Sequence, residues 1–503
     1  MFQKEKRSRR SVLKGAVASA TIVGFDLSTR RWLTAGGLKT AVAMAPNFPT
    51  FDGTLYTAPA GSAQLDAAAD DFGHIVHHRP IAVLAPGSIN DIVVMIQFAR
   101  QHEIQVSARG QGHATQGQSQ NDGGVVINMS TLNTIHEISP DNALVDAGMT
   151  WFELIEQSSV QGFTPPTITD YVHLTVGGTL SVGGIGGQGF SHGPQIDNVL
   201  ELTVVTGQGN LVTCSPTQDA RLFNAVRAGL GQFGIIVQAR VKLVAAPQNT
   251  RFYNLPYLDV TTFMADQEFL IGTNRFDYVE GFALDDGKDG WMFLIEAVKY
   301  VNPGDVIDDA AQLADLNFLP EGETMEDRPF FNPAFNPDDP ATFDFVNRVS
   351  VLVAFLQASG LWELPHPWFN AFLPTHEAFT FIADLFDTLI PSDLGPGSVV
   401  IIYLFNGDKF HAPLMRVPMG DTFLSLALLR TATDQASVDA AIVANAQLRD
   451  DIVALGGKRY PIDSVPMTKQ DWLEHFQPEW GPFNSAKQLF DPDNIMTPGQ
   501  GIF

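Results

Sequence analysis

Cysteine is almost missing from this chain: Cys214 is the only one in 503 residues. A single thiol excludes an internal disulfide and any multi-cysteine metal site, and no metal is expected. Cys214 ends the apolar run Leu211–Cys214, so a strand position in the core is expected. Basic residues are scarce too, with 30 Lys and Arg against 55 Asp and Glu, a net charge of −25. That balance argues against nucleic acid or an anionic membrane as partner and reads as a solvated acidic surface. Beyond residue 43 the shortage sharpens to 21 basic against 53 acidic residues, or −32. Long hydrophobic runs are absent: the segment from Gly15 to Phe25 is too short for a stable membrane span. Internal repeats, heptads and low-complexity tracts are absent as well. What remains, 45% hydrophobic and 17% charged, is a globular composition with length for two or three domain-sized units.

The few basic residues gather at the N-terminus. Lys4, Lys6, Arg7, Arg9 and Arg10 surround Ser8-Arg-Arg-Ser-Val-Leu-Lys, and the apolar segment to Phe25 follows, closed by Asp26. This order suits a signal peptide, and the paired arginines resemble the twin-arginine export signal. Ala41-Val-Ala43 offers a small-residue cleavage site, although far downstream of Phe25. Residues 1–43 are therefore expected to be an export signal and the protein to be periplasmic or secreted; a plain basic arm is the alternative.

Glycine is abundant, and its placement carries the chemistry. Arg109-Gly-Gln-Gly-His-Ala-Thr-Gln-Gly-Gln-Ser-Gln-Asn-Asp-Gly-Gly124 lies between expected strands Ile104–Ala108 and Val125–Asn128. Gly110 and Gly112 free the backbone to turn so that its N–H groups can line an anion-binding nest. His113 at the mouth of such a nest suggests a dinucleotide tethered through a nucleophilic imidazole; an ordinary glycine turn with an incidental histidine is the competing reading. Two G-x-G-x-x-G matches, at Gly184/Gly186/Gly189 and Gly229/Gly231/Gly234, fail the requirement that a helix follow. Phe-Ser-His-Gly-Pro after Gly189 cannot begin a regular helix, and Ile-Ile-Val-Gln-Ala-Arg-Val after Gly234 reads as a strand. A nicotinamide Rossmann domain is rejected.

Around these loops the pattern alternates strands and helices. Ile81–Ala85 is a short apolar run, and Ser88 with Asp91 looks like a helix start before Ile92, Val93 and Ile96. Ala143–Ala147 reads as a strand, and Thr150 with Glu153 as a capping box. Val199–Val205 and Leu211–Cys214 flank Gly207-Gln-Gly-Asn, a hairpin signal. Asp219 starts a helix and Ile235–Val244 returns as a strand. Ala245-Ala-Pro-Gln-Asn-Thr marks an exit, beyond which residues 318–341, with five prolines, read as loop.

Arg109-Gly-x-Gly-His, Thr169-Asp-Tyr…Leu-Thr-Val-Gly-Gly-Thr-Leu-Ser and Gly231-Gln-Phe-Gly-Ile-Ile together resemble the para-cresol methylhydroxylase type of FAD-binding domain. His192-Gly-Pro-Gln-Ile-Asp-Asn, Phe276-Asp-Tyr-Val-Glu-Gly-Phe, Leu364-Pro-His-Pro-Trp-Phe-Asn and Pro498-Gly-Gln-Gly-Ile-Phe narrow it to a resemblance to cytokinin dehydrogenases, from about residue 75 to 503. The resemblance implies an α+β architecture: a two-subdomain FAD-binding domain at 44–245, an α+β substrate-binding (cap) domain at 246–460, and a segment at 461–503 returning to the flavin.

It also implies an enzyme, an FAD-dependent oxidoreductase. Its reaction would convert isoprenoid adenines, through an imine, to adenine and an aldehyde, with hydride passing to flavin N5. Asp170 would take the nitrogen's proton and Glu280 would anchor the purine. His113 would carry FAD covalently, since a neutral imidazole nitrogen can add to the flavin's 8α carbon. Ala108, Gly110, Gln111, Gly112, Ala114, Gln118, Asp170, Thr175, Ser181, Ile185, Ile235, Thr497 and Gln500 would contact the cofactor. Two departures stand out: Gly112-His-Ala114 replaces the usual Gly-His-Ser, and Tyr460-Pro-Ile-Asp463 does not match the usual Tyr-Leu pair of the lid. Oxidation of another amine, an alcohol or a sugar by the same fold remains open, as does a non-catalytic flavin-containing binding protein. The electron acceptor (oxygen, quinone or soluble carrier) is open too.

Overall fold

The computed structural model describes residues 46–322 and 324–503, together with two short strands at 22–26 and 31–34. The chain divides into two units, residues 1–49 and 50–503. In the first, β1 (Ile22–Asp26) pairs antiparallel with β2 (Arg31–Thr34). The twin-arginine run and Ala41-Val-Ala43 lie outside the described residues.

The second unit opens with β3 (Thr54–Thr57), β4 (Ala82–Ala85), helix α1 (Ile89–Gln101), β5 (Val106–Arg109) and β6 (Val125–Asn128). Their sheet has the order β3-β4-β6-β5, with β4 and β5 both parallel to β6. α1 crosses over from β4 to β5, and β6 fills the place between them. Ser88 caps α1 by accepting the Asp91 N–H. The Asp91 carboxylate does not close a capping box; it accepts the N–H groups of Asp52, Gly53 and Gly87, each at 2.8 Å. Three backbone donors outside the helix outcompete the single local one.

A five-stranded sheet follows, built from β7 (Ile135–Ser139), β8 (Asn142–Asp146), β10 (Val199–Thr206), β11 (Leu211–Cys214) and β12 (Gly234–Lys242), in the order β11-β10-β12-β8-β7. β9 (Phe163–Thr164) and β13 (Val244–Ala245) form a separate pair. The capping box of Thr150 and Glu153 is present at the start of α2 (Trp151–Ser159). α3 (Val176–Leu180) starts at Thr175, and β10 and β11 form the expected hairpin. Cys214 is fully buried. Asp219 precedes the helix α4 (Ala220–Val226) in a left-handed conformation, φ 46°, and makes no side-chain cap. Gly189 does open a helical turn, contrary to expectation, but it spans only Gly189–His192 before Gly193 at φ +71°. Gly234 runs directly into β12, as expected.

The remaining sheet is antiparallel and eight-stranded. It comprises β14 (Asn249–Tyr257), β15 (Tyr278–Asp285), β16 (Trp291–Val301), β17 (Thr324–Pro329), β18 (Phe369–Pro374), β19 (Val399–Asn406), β20 (Thr422–Leu429) and β21 (Lys458–Arg459). Their order is β17-β14-β16-β15-β19-β20-β18-β21. β17 corrects the expectation of loop across 318–341. It pairs with β14 at the sheet edge with almost every residue exposed, so it carries no apolar alternation to betray it.

Helices α5 (Val260–Thr273) and α7 (Thr375–Phe386) pack on this sheet, with α6 (Ser350–Ala358) between them in sequence. Gly281 identifies the face that α5 covers: a Cβ there would lie 2.5 Å from Phe263 and Gln267 of that helix. Strand side chains alternate, so Tyr278, Glu280 and Phe282 turn to the opposite face. The tail comes back to β5, where the Val106 N–H donates to Ile495 O at 2.8 Å and the Thr497 N–H to Val106 O at 2.9 Å. The architecture is α+β throughout.

Candidate active site

A cavity of about 440 Å³ opens on the face of the eight-stranded sheet opposite α5. From the sheet come Glu280 and Phe282, Val399, Ile401 and Tyr403, and Ser425, Ala427 and Leu429, every second residue of three strands. From the first half come Ala108, Gly110, Gln111, Gly112, His113, Ala114, Gln118, Asp170, Thr175, Ser181, Ile185 and Ile235, and from the tail Thr497 and Gln500. All residues singled out from the sequence thus line one space. Val349, Leu352, Val353 and Leu356 form an apolar wall at and near α6, and no Lys or Arg is among the described lining residues.

The 110–114 loop is shaped for an anion. Gly112 O accepts from the Phe72 N–H at 2.9 Å and Ala114 O from the Gly73 N–H at 3.1 Å. With those carbonyls committed, the N–H groups of Gln111, Gly112, His113 and Ala114 find no acceptor among the described residues. Gly112 sits at φ +71°, and Thr175 Oγ1 lies 2.1 Å from where a Gly110 Cβ would be, so both positions demand glycine. Beneath the loop Asp71, 3% exposed, accepts from Gly73 N–H at 3.1 Å and Gly117 N–H at 2.6 Å.

Several of the other residues are already committed. Gln118 donates to Asp463 O at 2.8 Å and accepts from Gln116 N–H. Ser181 donates to Gly177 O, and Thr497 to Gly231 O. Thr175 accepts from Gly178 N–H, and Gln500 O accepts from Trp472 Nε1. Tyr460, Pro461 and Ile462 line the cavity where the lid pair was sought, and the Tyr460 hydroxyl accepts a hydrogen bond from Gly184 N–H at 3.1 Å.

His113 sits in an aromatic box. Its ring stacks on Phe72 at 4.1 Å, and Phe72 stacks on His366 at 4.3 Å with Trp362 and Trp368 alongside. Burial, and to a smaller extent His366, pulls the His113 imidazole down to about 3. The ring is therefore neutral with a free lone pair at neutral pH.

Across the cavity lies a cluster of carboxyls. Asp170 accepts from Arg348 Nη2 at 2.6 Å and Tyr278 OH at 3.2 Å on one oxygen, and from Tyr403 OH on the other. Glu280, 1% exposed, contacts Tyr403 OH at 2.8 Å and Tyr278 OH more closely. These four oxygen–oxygen contacts need four hydrogens, and the phenols own two. A carboxyl proton supplies the third. Arg348 bridges the longest contact by donating to Asp170 and, at 2.8 Å, to Tyr278 OH. Burial first, and the neighbouring Asp170 second, push the Glu280 carboxyl well above its ordinary range. Glu280 therefore holds the extra proton.

Residues 80–215 match the family described as "FAD binding domain", and residues 288–503 match "Cytokinin dehydrogenase 1, FAD and cytokinin binding". An uncharacterized oxidoreductase, ORF5 in the fasciation locus of Rhodococcoides fascians, is 36% identical over 86% of this chain and 96% of its own. Cytokinin dehydrogenase 9 of Oryza sativa subsp. japonica is 34% identical over 87% of this chain and 89% of its own. For cytokinin dehydrogenase 2 of Arabidopsis thaliana the values are 35%, 90% and 93%. The chain belongs to the cytokinin dehydrogenase family. It is an FAD-dependent oxidoreductase.

The cytokinin dehydrogenase family's cofactor fits what the cavity offers: free N–H groups for a pyrophosphate, glycines where a Cβ would intrude, and an apolar interior. Sequence reasoning missed Arg348, Tyr278, Tyr403 and Glu296 of the carboxyl cluster, and Phe72 and His366 beside His113. Tyr278 and His366 had local signals: Tyr278 stands two residues from Glu280 and so on its strand face, and His366 lies within the Leu364-Pro-His-Pro-Trp segment.

Asp71 supplies a pH test of the loop's foundation. Burial above all pushes its carboxyl up to about 6, from 3.8 in an unfolded chain, against the lowering effect of its N–H bonds and Arg109. The folded value is the higher one, so this contribution to stability is full below pH 3.8 and lost as pH rises through 6. Between pH 4 and pH 8 the wild type should lose about 2–3 kcal/mol relative to Asp71→Asn, measured by urea unfolding. A difference that stays constant with pH would mean that Asp71 does not titrate there.

Proposed function

We propose that this enzyme oxidises the N6 side chain of isoprenoid adenines, releasing adenine and an aldehyde after water adds to the imine. The supporting observation is the meeting of Asp170, Glu280 and His113 on one apolar cavity beside an anion-binding loop. Bound FAD supplies a two-electron acceptor for the hydride leaving the side-chain carbon. Asp170, which lines the cavity, accepts the proton leaving the substrate nitrogen. Glu280 anchors the purine ring at the cavity wall, which orients the side chain. Val349, Leu352, Val353 and Leu356 suit an isoprenoid chain and exclude water.

The linkage to the cofactor is assigned to His113, whose neutral ring has the lone pair that bond formation needs. Phe72 holds the ring in place by stacking. Acid-precipitated protein should stay yellow, with the flavin mass on the tryptic peptide containing His113; colour left wholly in the supernatant would refute the linkage.

We further propose that residues 1–43 direct export by the twin-arginine route. Lysine lacks the guanidinium geometry, so replacing Arg9 and Arg10 by lysine should hold the protein in the cytoplasm. Unchanged export of that double variant would remove the assignment.

The reaction is tested by anaerobic mixing with isopentenyladenine and a panel of amines, alcohols and sugars. Isopentenyladenine should bleach the flavin in a single turnover, and Asp170→Asn should slow bleaching by about 10²- to 10⁴-fold. Bleaching by an alcohol or a sugar but by no N6-substituted adenine would overturn the substrate class. Bleaching of Asp170→Asn at the wild-type rate would remove Asp170 from the reaction.

A further inference from the structure

The carboxyl cluster has an imbalance of charge that points beyond the residues in contact with substrate. Asp170, Glu280 and Glu296 stand together; Arg348 is the cation in contact with Asp170, and Arg328 acts on Glu296 alone. Glu280 and Glu296 are paired across β15 and β16, and Tyr403 lies one position beyond the Gly281–Ile402 pair on β19. Two of the acids and Tyr403 are thus fixed by sheet register, and Asp170 meets them from the loop before α3.

Arg348 is held as firmly as the acids. It comes from the segment before α6, its side chain is 5% exposed, and its guanidinium lies 4.6 Å from the Tyr278 ring centre and 4.7 Å from that of Phe345. One Nη2 reaches both Asp170 and Tyr278. Nε stands 3.7 Å from Glu296 and makes no hydrogen bond. Nη1 donates to Phe345 O at 3.2 Å, so one arm alone is directed at Asp170, and Glu296 receives only a longer-range attraction.

We propose that Arg348 is the positioning residue that makes Asp170, rather than Glu280, the proton acceptor of the cluster. The inference rests on the assignment of Asp170 as proton acceptor. Two neighbouring carboxyls without a cation share a proton, and neither is then reliably a base. A guanidinium against one of them alone breaks the symmetry. The groups facing Asp170 are Arg348, Tyr278, Tyr403 and Glu280, with Glu296 behind Arg348. The Tyr403 phenol stays protonated, since burial above all raises it well above its usual value. Arg348 is the one group in this set that favours the anion by charge.

The test is the pH profile of single-turnover flavin reduction in the holoenzyme, comparing wild type with Arg348→Gln and Arg348→Met. With the charge gone, the acidic limb should move to higher pH by about 1–3 pH units, the usual effect of one adjacent opposite charge. The rate at high pH should fall far less than the rate at pH 6. An acidic limb at its wild-type position, with the rate lowered equally at every pH, would overturn the proposal. Should both neutral variants lose FAD, Arg348→Lys decides, because it retains the charge without the fork. A wild-type limb and a plateau within about threefold of wild type would support the charge role; a wild-type limb with a plateau more than tenfold lower would make the role geometric and overturn it. Whichever substrate bleaches the wild-type flavin is used, so failure of isopentenyladenine counts against the substrate class alone.

Discussion

Burying carboxyls beside an apolar cavity is the constraint on which this site depends. An isolated buried carboxylate is too costly to persist, so it must be neutralised, hydrogen-bonded or paired. The molecule uses all three devices within one cluster. Glu280 keeps its proton, Tyr278 and Tyr403 each span two acids, and Arg348 pairs with Asp170. The outcome is two carboxyls of unlike surroundings within reach of one another, one paired with a guanidinium and one bonded only to phenols. Such a split is what an amine oxidation requires, because one group must gain a proton while another orients the ring.

The opposite wall solves a different electrostatic problem. The chain is strongly acidic, and no Lys or Arg lines the described cavity, yet the cofactor brings two phosphates. Backbone N–H groups take the place of side-chain cations. They are available only because Gly112 adopts a left-handed conformation and the loop's carbonyls turn to Phe72 and Gly73. The same turn delivers His113 into its aromatic box. Cradle and neutral imidazole are thus consequences of one backbone path, and Asp71 under the loop fixes that path through the Gly73 and Gly117 N–H groups.

What was legible in the sequence was local. The strand Val125–Asn128, the capping box at Thr150 and the hairpin at Gly207–Asn210 depend on neighbouring residues, and they formed where the pattern put them. The residues around the cavity were found through motifs, because glycines with positive φ and short polar segments leave a trace in sequence. Arg348 left none. Its partner Asp170 lies 178 positions away, and a lone arginine before an apolar helix looks like any other surface charge. β17 was missed because an exposed edge strand held by backbone bonds needs no apolar alternation, and the carboxylate of Asp91 because donors 38 and 39 positions upstream outcompeted the local cap.

The division of the site between two kinds of structure explains why its parts were unequally visible. Loop chemistry depends on backbone freedom, which sequence records as glycine. Sheet chemistry depends on register, which sequence records only as alternation. Glu280 faces the cavity because Gly281 cannot carry a side chain into α5, so the polarity of the whole strand is set by one contact on its far side. Any larger residue at 281 would press on Phe263 and Gln267 and tilt β15 against β16 and β19. The carboxyl cluster would lose its alignment although none of its members had changed. The strand's unseen face therefore governs the reactive one, and the packing of α5 belongs to the chemistry as much as the acids do.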